Sequence, residues 1–271
     1  MNKKSLSKKT QLVNLIQFIL TIISLVMELF DILSYIKIAF ICMQVVIFGV
    51  IILAVKIDSL RKEFQDKKVL IVTAHPDDES MFFLPFIKSC SSSSNLDLLC
   101  LSIGDADGLG KIRVKELEKV SSFLGFSSYE IVDDDALEDG MNVEWDKKAI
   151  LDHVEKYVRA NNIDCVVTFD GYGVSGHTNH ISISRAVKDL REVEVYQLES
   201  ISILRKYIGI LDSYFCAGNN IVALNVNPKL AWQAMSIHHS QFVWYRKLFV
   251  VFSRYAYINT LKRIKNKPAS D

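Results

Sequence analysis

Hydrophobic residues are distributed differently in the first 66 residues of the chain and in the rest of it. Two long apolar runs fill the N-terminal part, Leu12 to Phe30 and Ile38 to Val55. From about residue 67 onwards, short apolar runs alternate with amphipathic stretches. Long apolar runs are typical of membrane spans, whereas short alternating runs are typical of strands and helices that pack around a core. The pattern therefore predicts a membrane anchor over residues 1–66 and a folded body over residues 67–271.

The second apolar run is the better candidate for a membrane span. Residues 38–55 contain no charged side chain and are about as long as a hydrocarbon core requires. The first run carries Asn14, Gln17 and Glu28. It is long and has no small-residue cleavage site, which argues against a cleaved signal peptide. Two arrangements stay open: a hairpin of two spans, or a single span preceded by a segment in the interface or the lumen.

Basic residues beside the apolar runs indicate which side of the membrane holds the body. Lysines cluster before residue 10, and Lys56, Arg61 and Lys62 follow the second run. Positively charged flanks tend to stay in the cytosol. The five cysteines are scattered without a CxxC pair, and the chain has no Asn-x-Ser/Thr sequon, which fits a reducing compartment. We therefore predict a cytosol-facing body in both arrangements.

Within the body, the apolar pattern predicts strands that alternate with helices. The strand candidates are KVLIVTA, LDLLCLSI, YEIV and IDCVVTF. Helical spacing occurs in DKKAILDHVEKYVRANN and in KIRVKELEKVSSFLG, where one face is expected to hold Ile112, Leu117, Val120 and Leu124. Strands that alternate with helices form βαβ units. We therefore predict an α/β fold with a Rossmann-like, mostly parallel sheet flanked by helices.

The charge balance narrows the class of partner. Lys and Arg number 32 and Asp and Glu number 31, for a formal net charge of +1. Domains that bind nucleic acid through its phosphates usually carry a clear positive excess. The sequence therefore indicates no nucleic-acid partner, although lysines near both ends are compatible with an anionic membrane surface. Nothing in it identifies a protein partner.

Three polar clusters follow strand candidates directly. HPDDE follows the first strand, GDADG follows the second, and DGYGVSGHTNH follows a later one. In open α/β sheets, ligands bind beyond the carboxyl ends of the strands. The three clusters are therefore expected to meet at one edge of the sheet.

Histidines and carboxylates recur in two of these clusters at a spacing that suits a metal. His75 and Asp78 are three residues apart, as are His177 and His180. Residues at that interval share a face where a helix begins, and two histidines with one carboxylate leave a zinc position open for water. HPDD alone also fits a capped helix start, and HxxH alone fits a surface helix. Their joint occurrence favours a metal, with Asp77 as the candidate general base.

With these motifs together, the body resembles the LmbE-like/PIG-L family of zinc-dependent N-deacetylases. The resemblance covers about residues 67–262. It rests on AHPDDE, GDADGLGKIRVKEL, DDDALEDGMNVEW, TFDGYGVSGHTNH and HHSQFVWYRKLFVVFSRYAYINTL. The first and fourth motifs mark the superfamily, and the others are similar to the eukaryotic branch that acts in GPI-anchor biosynthesis. The resemblance implies an enzyme of the endoplasmic reticulum membrane that removes the N-acetyl group of N-acetylglucosaminyl-phosphatidylinositol.

The resemblance also implies roles for individual residues. His75, Asp78 and His180 would bind Zn²⁺, with Fe²⁺ as another metal that suits such ligands. Asp77 would be the general base. His177 would stabilise the oxyanion and help the amine to leave.

Further residues have less specific expected roles. Asn179 stands where many bacterial relatives have an aspartate that charges the preceding histidine, and we expect Asp170 to substitute for it. Glu79 is expected either to orient a metal ligand or to form a structural ion pair. Arg113 is a candidate for contact with the substrate phosphate, the alternative being an exposed helix arginine. His238 is expected near the sugar pocket.

The aromatic stretch FVWYRKLFVVFSRYAY near the C-terminal end has two interpretations. It fits a buried amphipathic helix or a helix that contacts a membrane. We expect core packing with one face near the bilayer.

Other functions stay open on the sequence alone. The body fits a membrane-tethered deacetylase of a different GlcNAc conjugate, or a non-catalytic GPI-pathway scaffold with the same fold. A metal-dependent phosphoesterase is a weaker alternative, because histidine and carboxylate ligands do not specify the bond that is cleaved.

Overall fold

The computed structural model describes residues 3–191, 193–216 and 221–264, without the side chains of residues 3–16, 30–31, 45–58 and 214. The chain divides into two units, Met1–Ile52 and Leu53–Asp271. This boundary lies earlier than the one expected after residue 66. The reason is that the last turns of the first helix belong to the body, where Leu60 and Phe64 are fully buried in the core.

The N-terminal helix α1 runs without interruption from Lys3 to Phe64. Its segment Gln17–Gln44 is long and apolar enough to cross a membrane. The expected span over residues 38–55 extends beyond this segment, into positions whose side chains lie outside the described residues. A hairpin requires a turn between two spans, and α1 has none within the residues that form it. How often the chain crosses a membrane stays a prediction.

A seven-stranded sheet forms the centre of the body in the described part of the chain. Its strands are β1 Lys68–Thr73, β2 Asn95–Cys100, β3 Ser128–Ile131, β4 Cys165–Phe169, β5 Glu194–Leu198, β6 Ile221–Leu224 and β7 Ile258–Ile264. The strand order is β3-β2-β1-β4-β5-β7-β6. The first five of these are parallel, and β7 is antiparallel to both of its neighbours. The predicted α/β fold with a mostly parallel sheet is confirmed, and the four strand candidates are β1 to β4.

Helices and apolar cores cover both faces of the sheet. The helices of the body after α1 are α2 Asp78–Phe82, α3 Leu84–Cys90, α4 Gly110–Leu124, α5 Lys147–Asn161, α6 Gly173–Gly176, α7 Thr178–Ala186, α8 Ile203–Lys206, α9 Pro228–Ile237 and α10 Trp244–Phe252. In β1, Val69 and Ile71 belong to one core, and Leu70 and Val72 belong to the other. Successive side chains of a strand point to opposite faces, so a strand buried on both faces is a continuous apolar run.

Helix α4 differs from its expected orientation at one position. Leu117, Val120 and Leu124 are buried as predicted, whereas Ile112 is 50% exposed and Arg113 is buried. The prediction for Ile112 was wrong because helix positions four residues apart share a face. The position on the buried face before Leu117 is therefore Arg113, and Ile112, five residues before Leu117, lies outside that face. A charged residue thus occupies the inner face of α4 at its first turn.

The sheet order places the ends of two strands side by side. Strand β1 pairs with β2 on one side and with β4 on the other. Where the chain leaves two adjacent strands towards opposite faces of the sheet, a crevice forms at the carboxyl ends of those strands. The segments after β1 and β4 therefore face the same space.

Candidate metal centre and active site

The segment after β1 stays in the core instead of leaving it. His75, Asp77, Asp78 and Glu79 are all buried. Asp78 begins α2, and its Oδ2 accepts hydrogen bonds from the backbone N–H groups of Ala74 at 3.0 Å and His75 at 2.9 Å. These bonds hold the carboxylate in one orientation, directed back towards the end of β1.

His180 faces this carboxylate from helix α7. Its Nδ1 lies 3.1 Å from the carbonyl oxygen of Gly173, to which it donates. The lone pair is then on Nε2, which lies 3.3 Å from Asp78 Oδ2, is buried and has no hydrogen-bond partner. Phe169 stacks on the imidazole at a centroid distance of 3.9 Å. A lone pair and a carboxylate oxygen this close repel each other unless a cation lies between them.

His75 presents its other ring nitrogen to the same carboxylate. Its Nε2 lies 3.0 Å from Asn179 Oδ1 and 3.1 Å from Asp139 Oδ1. Both partners are acceptors, so Nε2 carries the proton. The lone pair is on Nδ1, which lies 3.7 Å from Asp78 Oδ2.

These contacts define a possible metal centre. Ligand atoms of His75, Asp78 and His180 lie within 4.8 Å of one another, and all three residues are buried. The two backbone N–H groups that donate to the Asp78 carboxylate favour its ionised form. Two imidazole lone pairs and one ionised carboxylate are a donor set that fits a divalent cation such as Zn²⁺.

Asp139 charges the site in the place where Asp170 was expected to act. The Asp170 carboxylate accepts hydrogen bonds from the backbone N–H groups of Tyr172, Gly173 and Ser200 and so closes the turn after β4. Asp139 instead binds the ring of His75. It follows the 3₁₀ helix Asp135–Leu137 after β3, inside the motif DDDALEDGMNVEW. Because it does not directly follow a strand, the expectation that ligands bind at strand ends does not single it out.

The amide of Asn179 connects the segment of Asp139 to the metal centre. Asn179 is fully buried. Its Oδ1 also accepts from the backbone N–H of Gly140 at 3.2 Å, and its Nδ2 donates to the carbonyl oxygen of Val143 at 2.8 Å. The side chain of Asn179 thus orients His75, whereas an effect on the preceding histidine was expected.

His177 lies beside both candidate ligand rings. Its ring centroid is 4.7 Å from that of His75 and 4.9 Å from that of His180. Its Nδ1 accepts the backbone N–H of Asn179 at 3.3 Å, which caps α7 and leaves the proton of the neutral ring on Nε2. Burial and the neighbouring imidazoles of His75 and His180 lower the pKa of His177 to about 4. The ring is therefore neutral near pH 7.

Asp77 lies between two guanidinium groups. Its Oδ1 is 3.3 Å from Nη2 of Arg113, and its Oδ2 is 3.1 Å from Nη1 of Arg246. Arg113 also donates to the carbonyl oxygen of Gly104 at 2.9 Å and contacts Asp139 at 3.3 Å. Arg113 is therefore not the exposed helix arginine, and both of its terminal nitrogens contact groups of the protein. Its side chain also lines the cavity, so contact with a substrate phosphate stays a prediction. Arg246 comes from α10 and is not among the residues predicted from the sequence.

Glu79 and His238 form a separate buried pair. Both are fully buried, and His238 Nε2 lies 2.7 Å from Glu79 Oε1. Ser80 also donates to Glu79. Of the two roles considered for Glu79, its contacts match the structural ion pair. His238 holds this carboxylate instead of lining the cavity.

We expect His238→Ala to lower the free energy of unfolding by about 3 kcal/mol, because it leaves the Glu79 carboxylate buried without its cationic partner. Chemical denaturation of the full-length protein in detergent measures the change. His239→Ala is the matched control, since the neighbouring His239 is exposed. Equal stability of the two variants would show that the pair contributes nothing.

The candidate residues open onto a cavity of about 300 Å³. The polar side of this cavity is formed by His75, Asp77, Asp78, His177 and His180. Its apolar lining residues are Met81, Phe82, Tyr207 and Phe249. A space of this size, lined by both polar and apolar side chains, accommodates a small ring.

Gly173 fixes the distance between the loop after β4 and His180. Its φ is +63°, and an added Cβ would lie 2.6 Å from Cβ of His180. We expect Gly173→Ala to displace His180 and to lose the bound metal, in addition to about 1 kcal/mol of backbone strain. Gly125→Ala is the matched control, because Gly125 has φ +78° with no atom within 4 Å of the added Cβ. Metal analysis of both purified variants tests this, and normal metal content in Gly173→Ala would contradict it.

Comparisons with known proteins identify the family of the chain. Residues 70–190 match the family described as PIG-L, GlcNAc-PI de-N-acetylase. A Dictyostelium discoideum protein named "Probable N-acetylglucosaminyl-phosphatidylinositol de-N-acetylase" is 36% identical over 242 residues, which cover 73% of this chain and 94% of that protein. The N-acetylglucosaminyl-phosphatidylinositol de-N-acetylase of Bos taurus is 40% identical over 208 residues, covering 72% and 82% of the two chains.

A solved structure shares the fold at low sequence identity. It is the N,N'-diacetylchitobiose deacetylase from Pyrococcus horikoshii, with a TM-score of 0.53 and 18% identity, covering 73% of this chain and 84% of that one. The likeness supports the assignment of the fold.

Proposed function

This chain belongs to the family of N-acetylglucosaminyl-phosphatidylinositol de-N-acetylases, and we propose that it hydrolyses the acetamide of N-acetylglucosaminyl-phosphatidylinositol. The products are glucosaminyl-phosphatidylinositol and acetate, and the reaction is an early step of GPI-anchor biosynthesis. The observation that carries the proposal is the convergence of two imidazole lone pairs on one buried carboxylate at the edge of the cavity.

The cofactor of this proposal is Zn²⁺, with Fe²⁺ as the alternative. The atoms that would hold it are His75 Nδ1, His180 Nε2 and the Asp78 carboxylate. When bound, such a cation lowers the pKa of water towards roughly 7 and polarises a carbonyl group. Asp139 and Asn179 keep the ring of His75 in the tautomer that this requires.

Proton movements are assigned to the two polar residues beside the ligands. Asp77 accepts a proton from the attacking water, and Arg113 and Arg246 contact one carboxylate oxygen each and so fix its orientation. As the C–N bond breaks, the departing amine nitrogen takes up that proton, and the oxygen of the water stays in the acetate. His177 donates a hydrogen bond from Nε2 to the amide oxygen, on which negative charge develops as the carbonyl carbon becomes tetrahedral. The apolar side of the cavity keeps bulk water from these groups, which strengthens both interactions.

Membrane attachment is part of the proposal because the substrate is a lipid. We assign the anchor to α1, whose segment Gln17–Gln44 is long enough to span a bilayer. Arg61 and Lys62 lie in the last turn of α1, which favours a cytosolic position for the body. The proposed location is the endoplasmic reticulum membrane, where an anchored enzyme and its lipid substrate share one surface.

The test is acetate release by the detergent-solubilised full-length protein. The substrates are N-acetylglucosaminyl-phosphatidylinositol, UDP-GlcNAc and a GlcNAc disaccharide. Release from the glycolipid alone is the expected result. Faster release from a soluble conjugate would favour a deacetylase of another substrate. No release from any of them by folded, metal-loaded protein would favour the scaffold.

A further inference from the structure

Large apolar side chains are exposed on the surface next to the catalytic cavity. They lie on residues 203–215, which include α8, and on residues 244–252, which are α10. Their exposed members include Leu204 at 80%, Leu211 at 61%, Phe215 at 60%, Trp244 at 72%, Leu248 at 50% and Phe252 at 53%. We call these two segments the apolar rim. An apolar area of this extent on a soluble domain usually marks an interaction surface.

The two segments of the apolar rim adjoin each other. Tyr207 contacts Phe249 edge-to-face at a centroid distance of 6.4 Å. Tyr257, from the segment after α10, donates to the carbonyl oxygen of Val251 at 2.8 Å and supports the end of that helix. The two segments are therefore in direct contact at Tyr207 and Phe249.

The apolar rim is also continuous with the catalytic cavity. An apolar groove of about 600 Å³ runs along α10. Met81, Tyr207, Arg246 and Phe249 line both this groove and the cavity. The groove beside the apolar rim therefore leads directly into the cavity that contains the candidate metal centre.

These side chains have little role in packing the body. Helix α8 has no buried residue at all, and α10 buries Val250 alone. Exposing Leu204 and Trp244 to water costs free energy that burying them elsewhere would avoid. The arrangement is therefore explained by a partner that covers the rim.

The charges of the apolar rim indicate what kind of partner this is. Arg205, Lys206, Arg246 and Lys247 are its basic residues, and Asp212 is its acidic one. The Asp212 side chain is fully buried and paired with Arg205. Arg205 is thereby neutralised, and Arg246 pairs with Asp77 inside the cavity. Lys247 is exposed, whereas the one acidic residue of the rim is buried, so the charge presented at the surface is positive, as in amphipathic segments that bind anionic lipid surfaces.

We propose that the apolar rim inserts into the surface of a membrane containing anionic lipid, with Leu204, Trp244 and Leu248 below the headgroups. The body then contacts the membrane directly, independently of α1, and the cavity opens towards the lipid phase. The proposal rests on the proposed function, since it gives a glycolipid a route to the metal centre. The headgroup enters the cavity while the acyl chains remain in the bilayer or the groove.

Trp244 reports on this contact directly. The chain has three tryptophans, of which Trp145 is buried and Trp232 is 43% exposed outside the apolar rim. The full-length protein is reconstituted into phosphatidylcholine–phosphatidylinositol vesicles with brominated acyl chains, which quench tryptophan only within the hydrocarbon. We expect wild-type emission to be quenched and Trp244→Phe emission to be largely unaffected. Equal quenching of the two proteins would overturn the proposal, whether or not the protein is an active deacetylase.

A kinetic comparison supplies the second readout. In the same vesicles, Leu204→Ser with Leu248→Ser is expected to lower turnover of the glycolipid about tenfold, because two apolar side chains lose their burial. Turnover of the water-soluble headgroup should change little. The control is Ile112→Ser with Phe123→Ser, two positions of α4 that are 50% and 44% exposed.

The outcomes separate this proposal from the proposed function. Quenching of Trp244 without deacetylation of any substrate would support the apolar rim and contradict the activity. Deacetylation without quenching of Trp244 would support the activity and contradict insertion of the apolar rim. A third outcome is a dimer in detergent in which Trp244 is protected from aqueous quenchers, together with no quenching of Trp244 by brominated lipid in vesicles. This outcome would assign the rim to contact with a second copy of the chain and overturn the proposal.

Discussion

Asp77→Asn is expected to lower turnover by about three orders of magnitude while the protein keeps its metal. The asparagine cannot accept a proton, and general base catalysis typically contributes about 10²- to 10⁴-fold. The residues that would hold the metal are unchanged by this substitution. Arg113 keeps Asp139 as an anionic partner at 3.3 Å, so its buried charge is still balanced. The variant should therefore fold and load normally.

The comparison with His75→Ala makes this result specific. His75→Ala removes a metal ligand and should lose both metal and turnover. Asp107→Asn controls for the loss of one carboxylate, since Asp107 is exposed in the loop after β2. Metal content and initial rates of acetate release are measured on all three proteins. Loss of metal from Asp77→Asn as complete as from His75→Ala would contradict the division of roles.

Treatment with a chelator is expected to abolish turnover of the wild-type protein, and addition of Zn²⁺ should restore it. The physical reason is the short distance of 3.3 Å between His180 Nε2 and Asp78 Oδ2, two acceptors with no hydrogen between them. A cation stabilises this arrangement, and its removal should also lower the melting temperature, because a ligand that binds the folded state stabilises it by mass action.

The metal experiment has two readouts so that activity is not the sole criterion. Melting temperature is measured for the wild type and for His180→Ala, with and without chelator. We expect the chelator to shift the wild type and to leave His180→Ala unaffected. Full activity in protein shown by metal analysis to be metal-free would refute the metal centre. Restoration by Fe²⁺ under reducing conditions, but not by Zn²⁺, would change the identity of the metal and leave the ligands in place.

Much of the fold could be predicted because its central strands are buried on both faces. Strands β1, β2 and β4 are nearly uninterrupted apolar runs, which is the pattern that such burial requires. The rule that ligands bind at strand ends then placed His75 and Asp78 near His177 and His180, as the structure has them. The three-residue interval was informative for the same reason, since both segments begin helices.

The last strands of the sheet could not be predicted in this way. β6 has only four residues, and β7 reads INTLKRI, where polar residues interrupt the apolar pattern. Strand β5 reads EVYQL, and Gln197 in it is buried through a hydrogen bond to Ser184. Their place in the sheet is determined by pairing with neighbours distant in sequence, which outweighs local preference.

The residues that were missed share a related cause. Asp139 lies well past the end of β3 and Arg246 lies on α10, so neither follows a strand directly. Both act through long-range ion pairs, with His75 and Asp77 respectively. Asp170 was singled out because it does follow β4, yet its carboxylate is used by the turn. A position directly after a strand suggests candidate site residues. Which of them serve the site depends on the hydrogen bonds that each side chain makes in the folded protein.

The position of β7 has a consequence for how the protein is made. This strand, Ile258–Ile264, lies between β5 and β6 although it follows both in the chain. During translation, β5 therefore has an unpaired edge until residue 264 has been synthesised, and such edges pair readily with other chains. An anchor at the N-terminal end would be synthesised long before that. Binding to the membrane would separate the incomplete chain from other unfolded chains in the cytosol until β7 has been synthesised. The anchor would therefore first reduce aggregation through the open edge of β5, and later hold the folded enzyme at the membrane.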